Sequence, residues 1–212
     1  MNNILFNIYK KIAFLGDPEK VHNISLLLLE YIYSSYFGKV FHRNINKKET
    51  KQFNIIFDNP VGLAAGFDKN ADYLNFISNI GFGFVEIGTL TPKPQLGNPK
   101  PRIFRLTEEE AIINHLGFNN KGIDHMKEKL SNFDRTIPIG INIGKNSLTP
   151  IDKACQDYEY CMKEIFYLAD YITLNISSPN TENLRDLQLG QFFEDFLKNI
   201  KSIHNNLIKK YK

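Results

Sequence analysis

Uncharged polar side chains are concentrated in one short segment that directly follows a strand-like run at 171–173. The segment reads LNISSPNT, and its amides and hydroxyls come from Asn175, Ser177, Ser178, Asn180 and Thr181. Amide groups both donate and accept hydrogen bonds, and hydroxyl groups do the same. Parallel α/β enzymes build their sites at the carboxyl ends of strands. The segment therefore predicts a loop that binds a small molecule rich in amide-like groups. An ordinary turn is the alternative interpretation, because Ser, Pro and Asn are common turn formers.

Three further strand-like segments also end in residues that could contact a ligand. GLAAGFDK at 62–69 combines small residues, which let a planar ligand approach the backbone, with the cation of Lys69. EIGTLTP contributes the Thr89 hydroxyl, and GINIGKN contributes Asn142. An inserted segment at 101–120 adds Asn114. The spacing matches neither a P-loop nor GxGxxG. Each residue alone has a structural explanation, but their repetition after successive strands favours one shared site.

From about residue 52 onward, strand-like and helix-like patterns alternate along the chain. Strands are predicted at 61–65, 84–87, 137–143 and 171–175, and helices at 70–79, 119–131, 151–168 and 190–210. Such alternation predicts a parallel sheet, either as a β/α barrel or as a doubly wound sheet. A full barrel needs eight strands and about 250 residues, so only about four β/α units fit into this chain.

The first 40 residues predict a helical hairpin with apolar faces. Apolar residues recur at helical spacing before Gly16, and Asp17 then caps a second helix with Pro18 at its first position, ending near Gly38. Neither helix has the roughly 20 uninterrupted apolar residues that span a bilayer, and no cleavable signal peptide is recognisable. The hairpin is expected either to lie on a membrane surface or to pack against the main domain.

The composition is that of a soluble globular protein with one sizeable core. The chain has 212 residues, 42% of them hydrophobic, and a formal net charge of +3 that is too small to indicate nucleic-acid binding. Cys155 and Cys161 lie in a predicted helix without a metal-ligand pattern, so a reducing compartment is the simplest inference. The dispersed histidines indicate no metal site.

Five motifs occur in the order and spacing of the dihydroorotate dehydrogenase family: GLAAGFDK, EIGTLTPKPQLGNPKPRIFRL, INHLGFNN, GINIGKN and LNISSPNT. The chain strongly resembles the class 2, quinone-reducing members, whose N-terminal extension its hairpin also resembles through DPEKVH at 17–22. The resemblance implies a TIM (β/α)8-type barrel in which only about the first four β/α units are present. Residues 1–40 would form the membrane and quinone-tunnel hairpin, and residues 41–212 the partial barrel.

The resemblance implies FMN-dependent oxidation of dihydroorotate to orotate, with a quinone as electron acceptor, in pyrimidine biosynthesis. Ser178 matches the catalytic base, and Thr181 would help it as a proton relay. The positions that match substrate contacts are Lys69, Asn114, His115, Leu116, Gly117, Phe118, Asn175 and Asn180. Those that match flavin contacts are Ala65, Gly66, Phe67, Asp68, Lys69, Thr89, Asn142 and Asn175. His115 and Leu116 stand where an arginine and a larger residue often occur in the family.

For the second half-reaction, His22 and Arg105 match positions that line the quinone tunnel. The implied location is peripheral, on the cytoplasmic side of a bacterial inner membrane or, alternatively, on the mitochondrial inner membrane. Family members continue with strands that hold the flavin phosphate, so the chain is expected to be a fragment or to need a second half, supplied in trans or by a self-partner. The alternatives are an inactive fragment, a non-catalytic membrane-attached binding module, and another FMN oxidoreductase of barrel type.

Overall fold

A computed structural model describes residues 3–35 and 48–211 of the chain. Its α-helices are α1 (Asn3–Leu15), α2 (Pro18–Ser34), α3 (Leu74–Asn79), α4 (Ile123–Ser131), α5 (Ala154–Ile165) and α6 (Gly190–Tyr211). Its strands are β1 (Thr50–Gln52), β2 (Ile55–Phe57), β3 (Gly62–Leu63), β4 (Phe84–Leu90), β5 (Ile103–Leu106), β6 (Ala111–Asn114), β7 (Ile139–Ile143) and β8 (Tyr171–Leu174). Short 3₁₀ turns occupy Ile151–Lys153 and Leu184–Gln188.

The centre of the fold is a four-stranded parallel sheet in the order β3-β4-β7-β8. Val85 pairs with Ile139, and Gly140 pairs with Tyr171, so neighbouring strands run in the same direction and end at the same edge. The β7 strand is buried at all five positions, which is typical of a strand covered on both faces. The predicted parallel α/β sheet with its four strands is confirmed.

The core is formed by the sheet together with α3, α4, α5 and α6. Its fully buried members come mainly from aliphatic positions of the strands and of the inner helix faces: Ile77, Ile87, Leu90, Ile123, Met126, Ile139, Ile141, Ile143 and Ile165. By contrast, β8 is only half-buried at each of its positions, and among the described strands it pairs with β7 alone. The sheet therefore has a well-covered centre and an open β8 edge.

Three predicted helices begin later than their patterns indicated, for local reasons. The Asp68 carboxylate accepts the backbone N–H groups of Asn70, Asp72 and Tyr73, which holds this stretch in turns before α3 begins. Gly122 has a φ of 83°, so α4 starts only after it. A 3₁₀ turn, not an α-helix, occupies the first residues of the third predicted helix. At the first of these starts, the hydrogen bonds of the Asp68 side chain compete with helix formation.

Two antiparallel hairpins were not among the predicted elements. β1 pairs with β2, and β5 pairs with β6, with Ile103 opposite Asn114. The second hairpin is the segment at 101–120 that the sequence presented as an insertion, and it carries Arg105 and Asn114. Strands of three or four residues give too few alternations to be recognised from periodicity.

The N-terminal helical pair is confirmed, including the Asp17 cap, whose carboxylate accepts the Lys20 backbone N–H at 2.8 Å. The predicted end near Gly38 and the boundary at residue 40 lie outside the described residues. α2 packs against α3, where the Glu30 carboxylate accepts the backbone N–H groups of Asn75 and Phe76. The helical pair therefore packs against the main domain, which was one of the two expectations for it.

The outer faces of the helical pair are apolar and exposed. More than half of the residue's surface is accessible at Ile4, Ile8, Ile12, Leu15, Ile24, Leu27, Leu28 and Tyr31. In the described part of the chain, no helix is both long enough and apolar enough to cross a membrane.

Candidate active site

The ends of β3 and β4 are held together by two backbone hydrogen bonds. The Gly66 N–H donates to the Gly88 carbonyl at 2.8 Å, and the Gly88 N–H donates to the Asp68 carbonyl at 3.1 Å. Gly88 has a φ of 113°, and a Cβ there would lie 2.4 Å from the Asn142 carbonyl oxygen. Only glycine fits this close approach, which places the following Thr89 side chain beside the end of β7.

Four polar side chains form a continuous hydrogen-bond chain across three strand ends. Asn142 Nδ2 donates to Glu86 Oε1 at 2.8 Å, and Thr89 Oγ1 donates to Asn142 Oδ1 at 2.7 Å. Asn175 Nδ2 in turn donates to Thr89 Oγ1 at 3.0 Å. Thr89 and Asn142 are buried. The structure thus brings together Thr89, Asn142 and Asn175, three of the predicted flavin contacts.

The loop after β8 is fixed at its base and turns back on itself. The Tyr158 hydroxyl donates to the Asn175 carbonyl at 2.8 Å. Asn175 Oδ1 accepts the Ser177 backbone N–H at 3.2 Å, and Ser178 Oγ accepts the Asn180 backbone N–H at 3.2 Å. These are Asx- and Ser-type turns, so the segment does form turns, whereas its role in binding a ligand stays a prediction. Both turns orient the loop on the strand end.

Thr181 differs from the other hydroxyls of this loop. It is buried, and within the described chain its Oγ1 has no hydrogen-bond partner. Buried hydroxyls in native proteins are nearly always paired with protein or ordered water. The free Thr181 hydroxyl therefore fits a group that exchanges hydrogen bonds with a water or a ligand.

Lys69 is half-buried, and its Nζ donates to Asn119 Oδ1 at 2.5 Å. Burial, helped by the positive charge of Arg102 and partly opposed by Glu19, lowers the pKa of Lys69 to about 8. The neighbouring Asp68 is buried, which raises its pKa to about 6 against the effect of the backbone N–H groups that it accepts. Asp68 therefore supports the loop, whereas Lys69 offers a cation to a ligand.

A cavity of about 700 Å³ lies between the helical pair and the ends of the first strands. Its lining includes eight of the predicted site residues: His22, Ala65, Gly66, Phe67, Lys69, Arg105, Asn114 and Leu116. Both predicted tunnel residues and part of the predicted substrate and flavin set are therefore brought together. The lining does not include Asp68, Thr89, Asn142, Asn175, Ser178, Asn180 or Thr181.

Both predicted tunnel residues connect the helical pair to the main domain. His22 Nε2 donates to the Phe67 carbonyl at 2.9 Å, and the two rings meet edge to face at 5.2 Å. Arg105 donates to the Gly16 carbonyl at 3.0 Å and lies 4.6 Å from the centre of the Phe14 ring. The cavity wall therefore depends on how the helices are seated.

The predicted substrate segment 114–118 divides between the cavity and the protein interior. Asn114 is exposed and, like Leu116, lines the cavity. His115 stacks on Phe104 at 5.7 Å and is not part of the lining. Gly117 and Phe118 have positive φ values of 69° and 51°, and both are buried. In this structure these last two residues shape the backbone of the loop.

An ion pair that the sequence analysis did not single out closes one side of this region. The buried Arg102 donates to the Glu19 carboxylate from Nε at 2.9 Å and from Nη2 at 2.6 Å. Its Nη1 donates to the carbonyls of Leu96 and Asn98. The hydrogen bonds from Arg102 hold the pKa of Glu19 below its usual value, despite burial. The pair attaches α2 to the segment before β5.

A larger cavity of about 1200 Å³ lies away from these residues. It is lined mainly by apolar side chains of β1, β2, β8, α5 and α6, and it contains none of the predicted site residues. The predicted site residues lie instead at the strand ends and around the smaller cavity.

Residues 48–209 match the family model described as dihydroorotate dehydrogenase. The chain belongs to this family. It is 47% identical over 208 residues to a dihydroorotate dehydrogenase (quinone) of Buchnera aphidicola, and 46% identical over 207 residues to one of Psychrobacter cryohalolentis. These alignments cover 98% and 97% of the chain but only 62% and 60% of the two relatives.

Solved structures of the family give the same result. The chain is 42% identical to a dihydroorotate dehydrogenase of Eimeria tenella solved in complex with ferulenol, with a TM-score of 0.78. That comparison covers 91% of this chain and 52% of the other. A ligand-free structure from the same organism gives a TM-score of 0.76. The fold of this chain thus corresponds to about half of each solved chain.

Removing the carboxylate at Glu19 should loosen the helical pair. In Glu19→Gln the buried Arg102 loses its counter-charge, and we expect a loss of about 3 kcal/mol in the free energy of unfolding. The exposed partner Lys100 serves as the control, since Lys100→Gln should change stability by less than about 0.5 kcal/mol. Urea unfolding and hydrogen exchange of the α2 amides measure both effects.

The same pair predicts an acid dependence of stability. Because the folded-state pKa of Glu19 is lowered, its contribution is complete above the unfolded-state value of about 4.3 and is lost as pH falls through the folded value. The Glu19→Gln variant should lack this component. Equal α2 exchange in both proteins at pH 7 would show that the pair does not hold the helices.

Proposed function

We propose that this chain provides substrate, flavin and quinone contacts for the oxidation of dihydroorotate to orotate, with FMN as cofactor and a quinone as acceptor. The observation that carries the proposal is that the family motifs converge on one edge of the sheet, beside a cavity bounded by the helical pair. The chain spans about three fifths of the relatives' length. The activity of the whole enzyme is therefore proposed, not assumed, for these 212 residues.

The residues at the strand ends fit the ring of FMN. A Cβ built on Gly66 would meet nothing within 4 Å, so there is open space directly above this part of the backbone. Ala65 and Phe67 line the same cavity. Asn142 and Asn175 each use one N–H of the side-chain amide within the strand-end network, which leaves the second N–H for a ligand carbonyl. When bound, FMN would accept the hydride that leaves C6 of dihydroorotate.

Ser178 is proposed as the base that removes the proton from C5, so that loss of this proton and of the C6 hydride creates the C5–C6 double bond. A free serine is a weak base, and it needs help from neighbouring groups. Ser178 Oγ already accepts the Asn180 N–H, which favours negative charge on that oxygen. The unpartnered hydroxyl of Thr181, three residues further on, supports a relay that carries the proton away.

The substrate contacts are proposed to be of two kinds, one charged contact to the carboxylate and several neutral contacts to the ring. Lys69 would attract the carboxylate of dihydroorotate, since it is the cation that lines the cavity next to the small residues at 64–66. The amides of Asn114, Asn175 and Asn180 would pair with the lactam N–H and C=O groups of the ring.

The quinone is proposed to enter through the cavity between the helical pair and the strand ends, where His22 and Arg105 lie. The exposed apolar faces of α1 and α2 support peripheral attachment to a membrane surface. We propose the cytoplasmic side of a bacterial inner membrane as the location, with the mitochondrial inner membrane as the alternative.

The open β8 edge supports a further partner. Parallel sheets are normally covered on both faces, an unpaired edge strand can pair with another strand, and the groove beside β8 is apolar. We propose that the part of the fold that the relatives have in addition, or a second copy of the chain, covers this edge.

Substitution of Ser178 tests the proposed chemistry. We expect Ser178→Ala to bind FMN and orotate like the unchanged chain but to reduce flavin about 10²- to 10⁴-fold more slowly. Anaerobic stopped-flow absorbance of the flavin with dihydroorotate measures this rate, and Ser177→Ala is the matched control. Rapid flavin reduction in Ser178→Ala would exclude this base, and an unchanged chain that retains no FMN on gel filtration would exclude the activity for these residues alone.

The pKa of Lys69 predicts how orotate binding depends on pH. As pH rises through about 8, Lys69 loses its charge and the orotate carboxylate loses its partner. We expect affinity to fall about 10- to 100-fold between pH 7 and pH 10. Lys69→Gln should bind weakly and without this pH dependence, whereas Lys129→Gln, at an exposed position of α4, should behave as the unchanged chain. Calorimetric titration that gives a flat profile for the unchanged chain would contradict the assignment.

Membrane attachment can be tested on the exposed face of α2. Leu27 and Leu28 are 64% and 58% exposed, and replacing both with Gln should weaken binding to phosphatidylglycerol–phosphatidylethanolamine vesicles at least about tenfold. The control is the double replacement of Leu148 and Leu189, which are 94% and 61% exposed outside the helical pair. Co-sedimentation that is equal for both double variants would argue against attachment through α2.

A further inference from the structure

Glu86 is an acidic side chain in the middle of the otherwise uncharged strand β4, and it lies at the start of the strand-end network. Its carboxylate accepts three hydrogen bonds. The donors are Asn142 Nδ2 at 2.8 Å, Thr173 Oγ1 at 2.9 Å and the Tyr171 hydroxyl at 3.2 Å. Glu86 opens the EIGTLTP motif, but the proposed reaction gives its side chain no role.

An ionised carboxylate can only accept hydrogen bonds, and this fixes the direction of the chain that starts from it. Asn142 must turn its NH₂ group toward Glu86, which leaves its Oδ1 to accept from Thr89. Because the Thr89 hydroxyl donates its proton to Asn142, it can only accept from Asn175 Nδ2. One carboxylate thus determines the orientation of two asparagine amides, one on β7 and one directly after β8.

The fold makes room for this arrangement. Tyr171 on β8 reaches across β7 to Glu86 on β4, and a Cβ on the intervening Gly140 would lie 2.1 Å from the tyrosine ring. Burial, together with the negative charge of Glu86, raises the pKa of Tyr171, so its hydroxyl remains a donor. The glycine and the tyrosine thus hold the carboxylate in place and help to compensate its partial burial.

We infer that Glu86 is a positioning residue that sets the direction of this network and thereby presents N–H donors, not carbonyl acceptors, to the bound ring. The second N–H of Asn142 and of Asn175 has no partner within the described residues. Each of these N–H groups can therefore donate to an acceptor on a ligand, such as a ring carbonyl oxygen. The inference rests on the proposed function, because it assigns these donors to the carbonyl groups of flavin or orotate.

The primary test uses the 15N-labelled chain without FMN. We expect slowly exchanging, well-dispersed side-chain amide resonances for Asn142 and Asn175. Glu86→Gln keeps the size of the side chain but adds an NH₂ donor, so it should shift and broaden the resonances of both asparagines. Glu128→Gln, on the exposed face of α4, should leave them unchanged. Far-UV circular dichroism checks that each variant is folded.

A second variant distinguishes a change in the direction of the hydrogen bonds from a general loosening of the strand ends. Thr89→Val removes the middle of the chain, so the Asn175 resonances should change while the Asn142 amide, still held by Glu86, keeps its position. Thr89→Val also keeps the inference open to refutation if Glu86→Gln fails to fold. Unchanged resonances of both asparagines in Glu86→Gln, or equal changes of both in Thr89→Val, would overturn it.

FMN binding gives the functional measurement. Fluorescence titration should show about tenfold weaker binding to Glu86→Gln than to the unchanged chain, as expected when a hydrogen bond to a charged group no longer orients its partner. Equal affinity would contradict the role of Glu86 in presenting donors. If the unchanged chain binds no FMN, the proposed function fails for these residues, and the amide resonances still decide the inference.

Discussion

The parallel pairing of β3, β4, β7 and β8 is the constraint on which the rest of the molecule depends. It brings four strand ends to one edge, and the side chains that follow them can then meet although they are far apart in sequence. Burial of β7 along its whole length makes this pairing hard to shift, since a slip by one residue would turn the Asn142 side chain away from Thr89 and Glu86.

The helical pair is held by a different kind of force. Apolar packing is limited, because most apolar side chains of α1 and many of α2 remain exposed. Charged contacts fix its position instead, through Glu19 on Arg102 and through Glu30 on the start of α3. Buried ion pairs contribute more to orientation than to net stability. Arg102 also lowers the pKa of Lys69, so the seating of the helices and the charge in the cavity are linked.

Local patterns predicted much of this structure. The β/α alternation, the Asp17 cap and the strand-end motifs each depend on neighbouring residues, and the structure has them where the sequence indicated. The Glu19–Arg102 pair joins residues 83 positions apart, and nothing local marks it. The buried position of Phe118 depends on a positive φ, which cannot be predicted from a phenylalanine in the sequence. Glu86 did carry a signal, an acid within an apolar strand, but its meaning required the two neighbouring strands.

The proposed site combines neutral donors with Lys69, a cation whose pKa is lowered by burial, and this combination would determine which ligands the site selects. The strand-end amides of Asn142 and Asn175 each have one N–H group without a partner among the described residues. A ligand without matching carbonyl oxygens would leave these donors buried and unpaired, at a cost of about 1–3 kcal/mol each. Lys69 adds attraction for one carboxylate, but its lowered pKa keeps that attraction moderate. Discrimination therefore depends on the direction of the hydrogen bonds more than on charge, and that direction originates at Glu86.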